Sequence, residues 1–367
     1  MVDYQPILVA MPRRILFVST PVSPIGRGDG GGVETTLLHL APCLAERGHT
    51  VAVVAPAVSA TPEGSRVFQI DGDPPPDITT ASREAFPITS GYGALEGMWD
   101  CARQVQEDFD VIIGMTYDWL SYFLTPYFRT PVLHWITISS AVEAVDRMIF
   151  ERFADRTDRL GFYTQTQADT FRKLRISKAN LLPGAVDTCR FSFSTDPENR
   201  LCWAARISPE KGLEDAVNAA SRAGLPLDIC GKLRDRSYRD DIVSRYPDAS
   251  LTWHGMLPHT ELATVIGNAA AMLVTPKWTE AFGLTTIEAL ACGTPVLAYA
   301  RGGPAEIVEH GRSGFLIEPD DTDALLDAIS NVHQLSRAHA RARAEQFTID
   351  NLASHFERWI ESNLARP

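Results

Sequence analysis

The sequence predicts an α/β protein of two Rossmann-like halves, each with a parallel sheet, facing a cleft. Three observations carry this. A length of 367 residues exceeds what one ordinary core organises. Short continuous apolar runs alternate with helical stretches, as they do where parallel strands are covered on both faces. The series stops at a proline, glycine and polar stretch over residues 183–199 and then begins again. The expected division is a domain over residues 1–185, a second over residues 186–345, and a closing helix over residues 346–367. That helix either packs on the second domain or returns to the first.

In the first half, residues 14–20 (RILFVST) read as a buried strand. A glycine-rich loop follows, then a helix over residues 33–47 and a strand over residues 50–55, which together make a βαβ unit. Three readings compete for the loop. Gly26, Gly28 and Gly31 match G-x-G-x-x-G, but that fingerprint wants an acid at the end of the second strand for a ribose. Residues 56–59 (PAVS) supply none, so nicotinamide binding ranks low. The second reading makes residues 30–32 an anion-friendly helix start, with Glu34 in the first turn favoured by the helix dipole. The third, a loop with a capping acid, weighs the same. Residues 61–90, rich in proline, glycine and aspartate, read as irregular. Asp71-Gly72-Asp73 imitates a metal-binding D-x-D, but three prolines follow, which favours a solvated turn.

A helix is expected over residues 94–107, then strands over residues 110–114 and 131–135. Their exits, residues 115–119 and the region of His134, lie at the carboxyl edge where open α/β sheets bind ligands. At that edge His134 is as reasonable a ligand contact as a packing residue. Residues 160–163, a helix over residues 165–175 and residues 179–182 complete six or seven strands.

The second series opens with a strand at residues 201–205 and a loop, R-I-S-P-E-K-G over residues 206–212, leading into a helix to about Arg222. Strands at residues 225–230 and 249–254 end at Gly231-Lys232 and Gly255. A helix over residues 258–268 precedes a strand at residues 271–274. This strand feeds E-A-F-G-L-T-T-I-E over residues 280–288, a strand–loop–helix corner carrying a glycine and two acids. Open amides at a helix start attract anions, and carboxylates suit sugar or ribose hydroxyls. Arg206 offers a planar fork for phosphate oxygens and Lys211 a mobile point charge. A sugar nucleotide fits such a corner. Strands at residues 294–299 and 314–317, two helices after Asp320 and a helix over residues 349–364 finish the chain.

Composition excludes several classes. A net charge of −12 argues against general nucleic-acid binding, which needs a basic field. No run of 18 apolar residues exists, so no transmembrane segment is expected, while peripheral membrane contact through a local basic patch stays compatible. The first residues do not read as a signal peptide. Six scattered cysteines without C-x-x-C fit reduced thiols in a cytoplasm. There is no H-E-x-x-H, and no metal or cofactor is expected.

Taken in order, G-G-V-E at residues 31–34, R-I-S-P-E-K-G, E-A-F-G-L-T-T-I-E, A-L-A-C-G-T-P-V-L-A and G-G-P-A-E-I-V-E-H-G-R-S-G-F-L-I resemble the retaining glycosyltransferases of family four, whose two-domain fold is called GT-B. The resemblance covers most of the chain and is strongest in the second half. It implies that Arg206 and Lys211 bind the donor diphosphate and that Glu280 contacts the transferred sugar. It implies that Phe282, Gly283, Leu284 and Thr285 hold sugar and phosphate, and that Glu288 binds the ribose. Gly31 and Gly32 would belong to a loop closing over the phosphates, His134 to the sugar end of the site, and Gly231 to the region of the base. Two departures stand out: the loop before G-G-V-E is long, and Ala205 replaces a commoner glycine. The family needs no metal.

The implied function is a metal-independent retaining transfer of a hexose from a nucleoside-diphosphate sugar. UDP-sugar is favoured, with GDP-mannose next. The acceptor is a small molecule, a glycan or a lipid-linked species. A sugar-nucleotide epimerase of the same architecture and a non-catalytic sugar-nucleotide-binding protein remain open, with a dehydrogenase a distant fourth. Oligomeric state is not legible.

Overall fold

The computed structural model describes residues 11–27, 31–76, 81–85 and 93–365. In chain order the elements are β1 (Arg14–Val18), α1 (Gly32–Glu46), β2 (Thr50–Pro56), β3 (Ser65–Ile70), α2 (Ala94–Val105), β4 (Val111–Gly114), α3 (Trp119–Leu124), β5 (Val132–Ile136), α4 (Glu143–Phe153), β6 (Leu160–Phe162), α5 (Gln165–Asp169) and β7 (Asn180–Leu181). The second series is β8 (Leu201–Ala204), α6 (Leu213–Ala223), β9 (Leu227–Cys230), α7 (Arg236–Arg245), β10 (Leu251–Gly255), α8 (His259–Asn268), β11 (Ala271–Val274), α9 (Leu284–Ala291), β12 (Val296–Tyr299), α10 (Pro304–Ile307), β13 (Gly314–Ile317), α11 (Thr322–Ser330), α12 (Arg337–Ala344) and α13 (Ile349–Leu364).

The chain forms two compact α/β units. The first takes the described residues up to Phe162, Phe171–Leu182 and the residues from Leu352 onward; the second takes Tyr163–Thr170 and Pro183–Asn351. The boundary is therefore not a single cut near residue 185.

The first unit holds a seven-stranded sheet in the order β3-β2-β1-β4-β5-β6-β7, parallel throughout. Its central strands are the continuous apolar runs, and Ile15, Leu16, Phe17 and Val18 are fully buried. The stretch expected to be irregular contains β3, a half-buried edge strand. An edge strand has one covered side, so its apolar residues alternate with Arg66 and Gln69 instead of forming a run. The exit after β4, read as loop, turns into α3, whose start is capped by Asp118 accepting from the Leu120 amide at 2.8 Å. The long helix expected over residues 165–175 is the short α5 followed by a 3₁₀ turn. The part of α13 from Leu352 belongs to this unit. Phe356 stacks on Phe17 with ring centroids 5.4 Å apart, Glu357 pairs with Arg47 and His49, and Trp359 Nε1 donates to the Asp158 carbonyl.

The second unit holds a six-stranded parallel sheet in the order β10-β9-β8-β11-β12-β13. Numbered from its own first strand, this is the 3-2-1-4-5-6 order of a doubly wound fold, and the order reverses between β8 and β11. The core sits around Trp203, Leu227, Ile229, Leu273, Leu297 and Tyr299. The segment Tyr163–Thr170 is fastened within this unit. Thr164 Oγ1 donates to the Ala281 carbonyl at 3.0 Å, and Glu306 accepts from the Thr166 amide and hydroxyl, both at 2.6 Å.

Candidate functional site

The crevice beyond the carboxyl ends of β8 and β11 is where an open α/β sheet offers backbone space to a ligand, because neighbouring connections leave in opposite directions. Two loops meet there. One runs from Ala205 to Gly212 after β8, the other from Thr275 to Gly283 after β11. Gly212 is what lets them touch. It adopts φ +66° and packs so closely that a Cβ would lie 1.9 Å from the Thr275 carbonyl oxygen. Thr275 Oγ1 donates to the Gly212 carbonyl at 2.8 Å, and the Lys277 amide donates to the Glu210 carbonyl at 2.9 Å. Backbone of the second loop is held from its far side too, where the Gly303 amide donates to the Glu280 carbonyl at 2.7 Å.

This register sets Lys211 Nζ 2.5 Å from Glu280 Oε2. Both side chains are largely covered, at 15% and 18% exposed, so the pair is screened less than a surface bridge. Trp278 Nε1 donates to the same carboxylate oxygen at 3.2 Å, and Lys211 Nζ lies 4.8 Å from the centre of the Trp278 ring. Burial by itself would raise the Glu280 carboxyl. The Lys211 charge and hydrogen bond, the Trp278 N–H and the Arg206 charge outweigh it and hold the group below the usual carboxylate range. Arg206, from the same loop as Lys211, lies 3.4 Å from Glu210.

The loop is braced from below. Lys277 pairs with Asp215 and, at 3.0 Å, with Asp320, while the Tyr299 hydroxyl donates to Asp215 at 2.6 Å. Arg301 joins the Pro276 carbonyl at 2.8 Å to Asp320 at 2.5 Å.

Past Glu280, Phe282 turns into the interior and packs against Tyr163 and Phe347. Its ring is thus a packing element, and only its backbone stays available to a ligand. Gly283 precedes α9 with φ +95°, and Leu284 and Thr285 are the first helical residues, whose amides have no partner within the helix. Glu288 lies one turn further along α9. It is buried, with His259 Nδ1 at 4.0 Å, and burial pushes its carboxyl up to about 7. Gly231 sits where three strand exits meet. It takes φ +140°, a Cβ would lie 1.8 Å from the Ala205 carbonyl oxygen, and its amide donates to Gly255 at 2.7 Å.

The remaining expected site residues belong to the first unit. Gly31 and Gly32 start α1 and are exposed. Glu34 reaches back to accept from the Gly31 amide at 2.7 Å and from Thr20 Oγ1 at 3.0 Å, so it fastens the helix start to the β1 exit. Gly28, Asp29 and Gly30 lie outside the described residues. His134, expected equally as a ligand contact or a packing residue, lies in a packing position. It is the third of five residues in β5, fully buried among Trp99, Tyr122 and Phe153, with Nε2 2.8 Å from Thr125 Oγ1. Burial lowers its imidazole to about 3. The side chain has no surface through which to meet a sugar, and the first residue beyond the strand end is Thr137. Asp71-Gly72-Asp73 is an exposed turn whose Asp73 carbonyl accepts from the Ala94 amide at the start of α2. Among the described residues no group of three or more His, Cys, Asp or Glu is placed to hold a metal ion, no helix is long and apolar enough to cross a membrane, and no disulfide joins the six cysteines.

The sequence reading assigned no role to Trp278, Lys277, Asp215 or Gly303. Trp278 carried a signal, an aromatic two residues before an acid in a strand-exit loop. The others act through backbone approach or through side chains distant in sequence.

The family described as "Glycosyl transferases group 1" matches residues 188–347, and "Glycosyltransferase Family 4" matches residues 30–190. The D-inositol 3-phosphate glycosyltransferase of Mycolicibacterium smegmatis is 27% identical over 97% of this chain and 93% of its own length. The glycogen synthase of Mycobacterium tuberculosis is 25% identical over 92% and 91%. Among solved structures, Anabaena HepE in complex with UDP and glucose superposes with a TM-score of 0.76 at 18% identity, covering 95% of this chain and all of that one. Sucrose-phosphate synthase from Thermosynechococcus elongatus gives 0.75 at 20%, covering 97% and 100%. The chain belongs to the GT-B glycosyltransferases of the family-four kind, enzymes that use a nucleotide-sugar donor.

Proposed function

We propose that the chain transfers a hexose from a nucleoside-diphosphate sugar to an acceptor hydroxyl with retention of anomeric configuration, without a metal, and that the second unit binds the donor. The observation that carries this is the meeting of Lys211 and Glu280 at the β8/β11 switch point, with Glu288 buried one helical turn beyond. In this reading Arg206, Lys211 and the amides at the start of α9 take the diphosphate. These cations give the leaving group the charge neutralisation that a divalent ion gives in other designs. Glu280 accepts from hydroxyls of the sugar, Glu288 from those of the ribose, and the base lies toward Gly231. UDP-sugar is the first candidate, in keeping with the UDP in the Anabaena HepE structure, and GDP-mannose the second. The domain division is read as an acceptor-side first unit and a donor-side second unit, and a cytoplasmic location fits six cysteines that form no disulfide.

Retention fits substitution on the donor's own face. The acceptor oxygen bonds to the anomeric carbon as the bond from that carbon to the phosphate oxygen breaks, and the departing phosphate oxygen takes the acceptor proton. A covalent route would use Glu280 as nucleophile, and its carboxylate is instead engaged on Oε2 by two donors. Incubation with a panel of UDP- and GDP-sugars, following nucleoside diphosphate release with EDTA present and the anomer of the product by NMR, tests this reading. Turnover in EDTA giving the donor's anomeric configuration is expected. A strict divalent-metal requirement or an inverted product contradicts it. An altered sugar nucleotide with no acceptor present would favour an epimerase.

A further inference from the structure

Resting on the donor assignment above, we infer that Trp278 is a positioning residue that keeps the Glu280 carboxylate aimed at the sugar when Lys211 engages the diphosphate. Two donors to the carboxylate converge on one oxygen, Lys211 Nζ at 2.5 Å and Trp278 Nε1 at 3.2 Å. Bound diphosphate competes for the ammonium, which sits on a flexible stem. The indole N–H is neutral and is fixed in its loop by the Lys277 contacts to Glu210, Asp215 and Asp320. It has no comparable attraction to phosphate, so it stays on Oε2 and leaves Oε1 for sugar hydroxyls. The indole face 4.8 Å from Lys211 Nζ gives the ammonium a second attraction that holds it beside the acid before the donor arrives. Trp278 thus serves the sugar and not the nucleotide, a division that a residue needed only for folding would not show.

The test compares the wild-type chain with Trp278→Phe, which keeps a ring and loses the N–H, and with Trp278→His, which keeps a ring and regains one. UDP and GDP affinities are measured by calorimetry, transfer by steady-state kinetics across pH, and folding by thermal unfolding. Loss of a hydrogen bond to a charged acceptor is worth about a tenfold change or more. Trp278→Phe is expected to bind the nucleoside diphosphate within about twofold of wild type, to lose about tenfold or more in kcat, and to move the acid limb of kcat/KM to higher pH. Trp278→His is expected to recover part of that loss. Wild-type kcat and an unmoved acid limb in Trp278→Phe overturn the inference. So does an equal loss of nucleoside diphosphate binding and turnover, which marks a structural role, and so does an unfolded Trp278→Phe that Trp278→His does not restore. A wild-type chain that binds no nucleoside diphosphate overturns the donor assignment and this inference with it. That failure is read on the wild type alone, which keeps the two distinguishable.

Discussion

Replacing Lys211 by methionine keeps the length of the side chain and removes its charge, and the structure fixes what should follow. Glu280 is left with 18% of its side chain exposed and with the Trp278 N–H as the remaining hydrogen-bond donor of the pair. Breaking a buried ion pair from one side costs about 3–5 kcal/mol. Residual exposure and the surviving indole bond place this case near 2–3 kcal/mol. At about 2–4 °C per kcal/mol, the ligand-free chain should lose roughly 5–10 °C of thermal midpoint. The deficit should depend on pH. In the wild type, Glu280 is held below its ordinary value of 4.5. Its contribution is therefore present above that value and is lost as pH falls through the lowered folded value. In Lys211→Met, burial acts without the ammonium, the carboxyl moves up, and acid restores part of the stability. The deficit should be largest near pH 8 and shrink toward pH 5. Adding Glu280→Gln should recover most of it, because removing both partners leaves no uncompensated charge. Thermal unfolding of the two single variants and the double variant across pH measures this. A pH-independent deficit, or a double variant less stable than the sum of the singles, would refute an ion pair as the bond between the two loops.

Three further outcomes are expected. Glu288, pushed up to about 7 by burial, should make donor affinity rise as pH increases through about 7, because the carboxylate is the stronger acceptor for ribose hydroxyls. Glu288→Gln should flatten the pH profile of KM, and binding near neutrality should release protons in calorimetry run in buffers of different ionisation enthalpy. In the free chain Glu288 acts oppositely, since a raised acid adds stability below its ordinary value and loses it as pH rises toward 7. Gly212→Ala should cost about 2 kcal/mol or more in stability and most of the transfer activity, because its Cβ would collide with the Thr275 carbonyl at the contact of the two loops. His134, lowered to about 3, stays neutral across the working range. His134→Asn should therefore lower the thermal midpoint without moving the limbs of the pH–rate profile. A lost limb in that variant would return His134 to the site.

The doubly wound architecture was legible because central parallel strands are covered on both faces and read as uninterrupted apolar runs. The edge strand β3 was not, since Arg66 and Gln69 interrupt it. Helices α4 and α7 also escaped the reading; the exposed polar residues of α7 bury little besides Ile242. In the site, Arg206, Lys211, Glu280 and Glu288 stood out because charged residues at strand exits and helix starts have few structural reasons to be there. His134 stood open between ligand contact and packing residue because only the structure shows its strand continuing two residues past it to Ile136, which puts its side chain inside the strand. Phe282 belonged to the motif by sequence, while the direction of its ring depended on Tyr163 and Phe347, far away in sequence. Trp278 needed the distance to Glu280, which no spacing rule supplies.

The most direct test is calorimetric binding of UDP and GDP to the wild-type chain and to an Arg206→Ala, Lys211→Ala double variant at matched ionic strength. If the β8/β11 switch point holds the diphosphate, the wild type binds one of the two, and the double variant loses about 100-fold or more, close to 2.7 kcal/mol. Undiminished affinity in the double variant would place the diphosphate elsewhere and contradict the assignment.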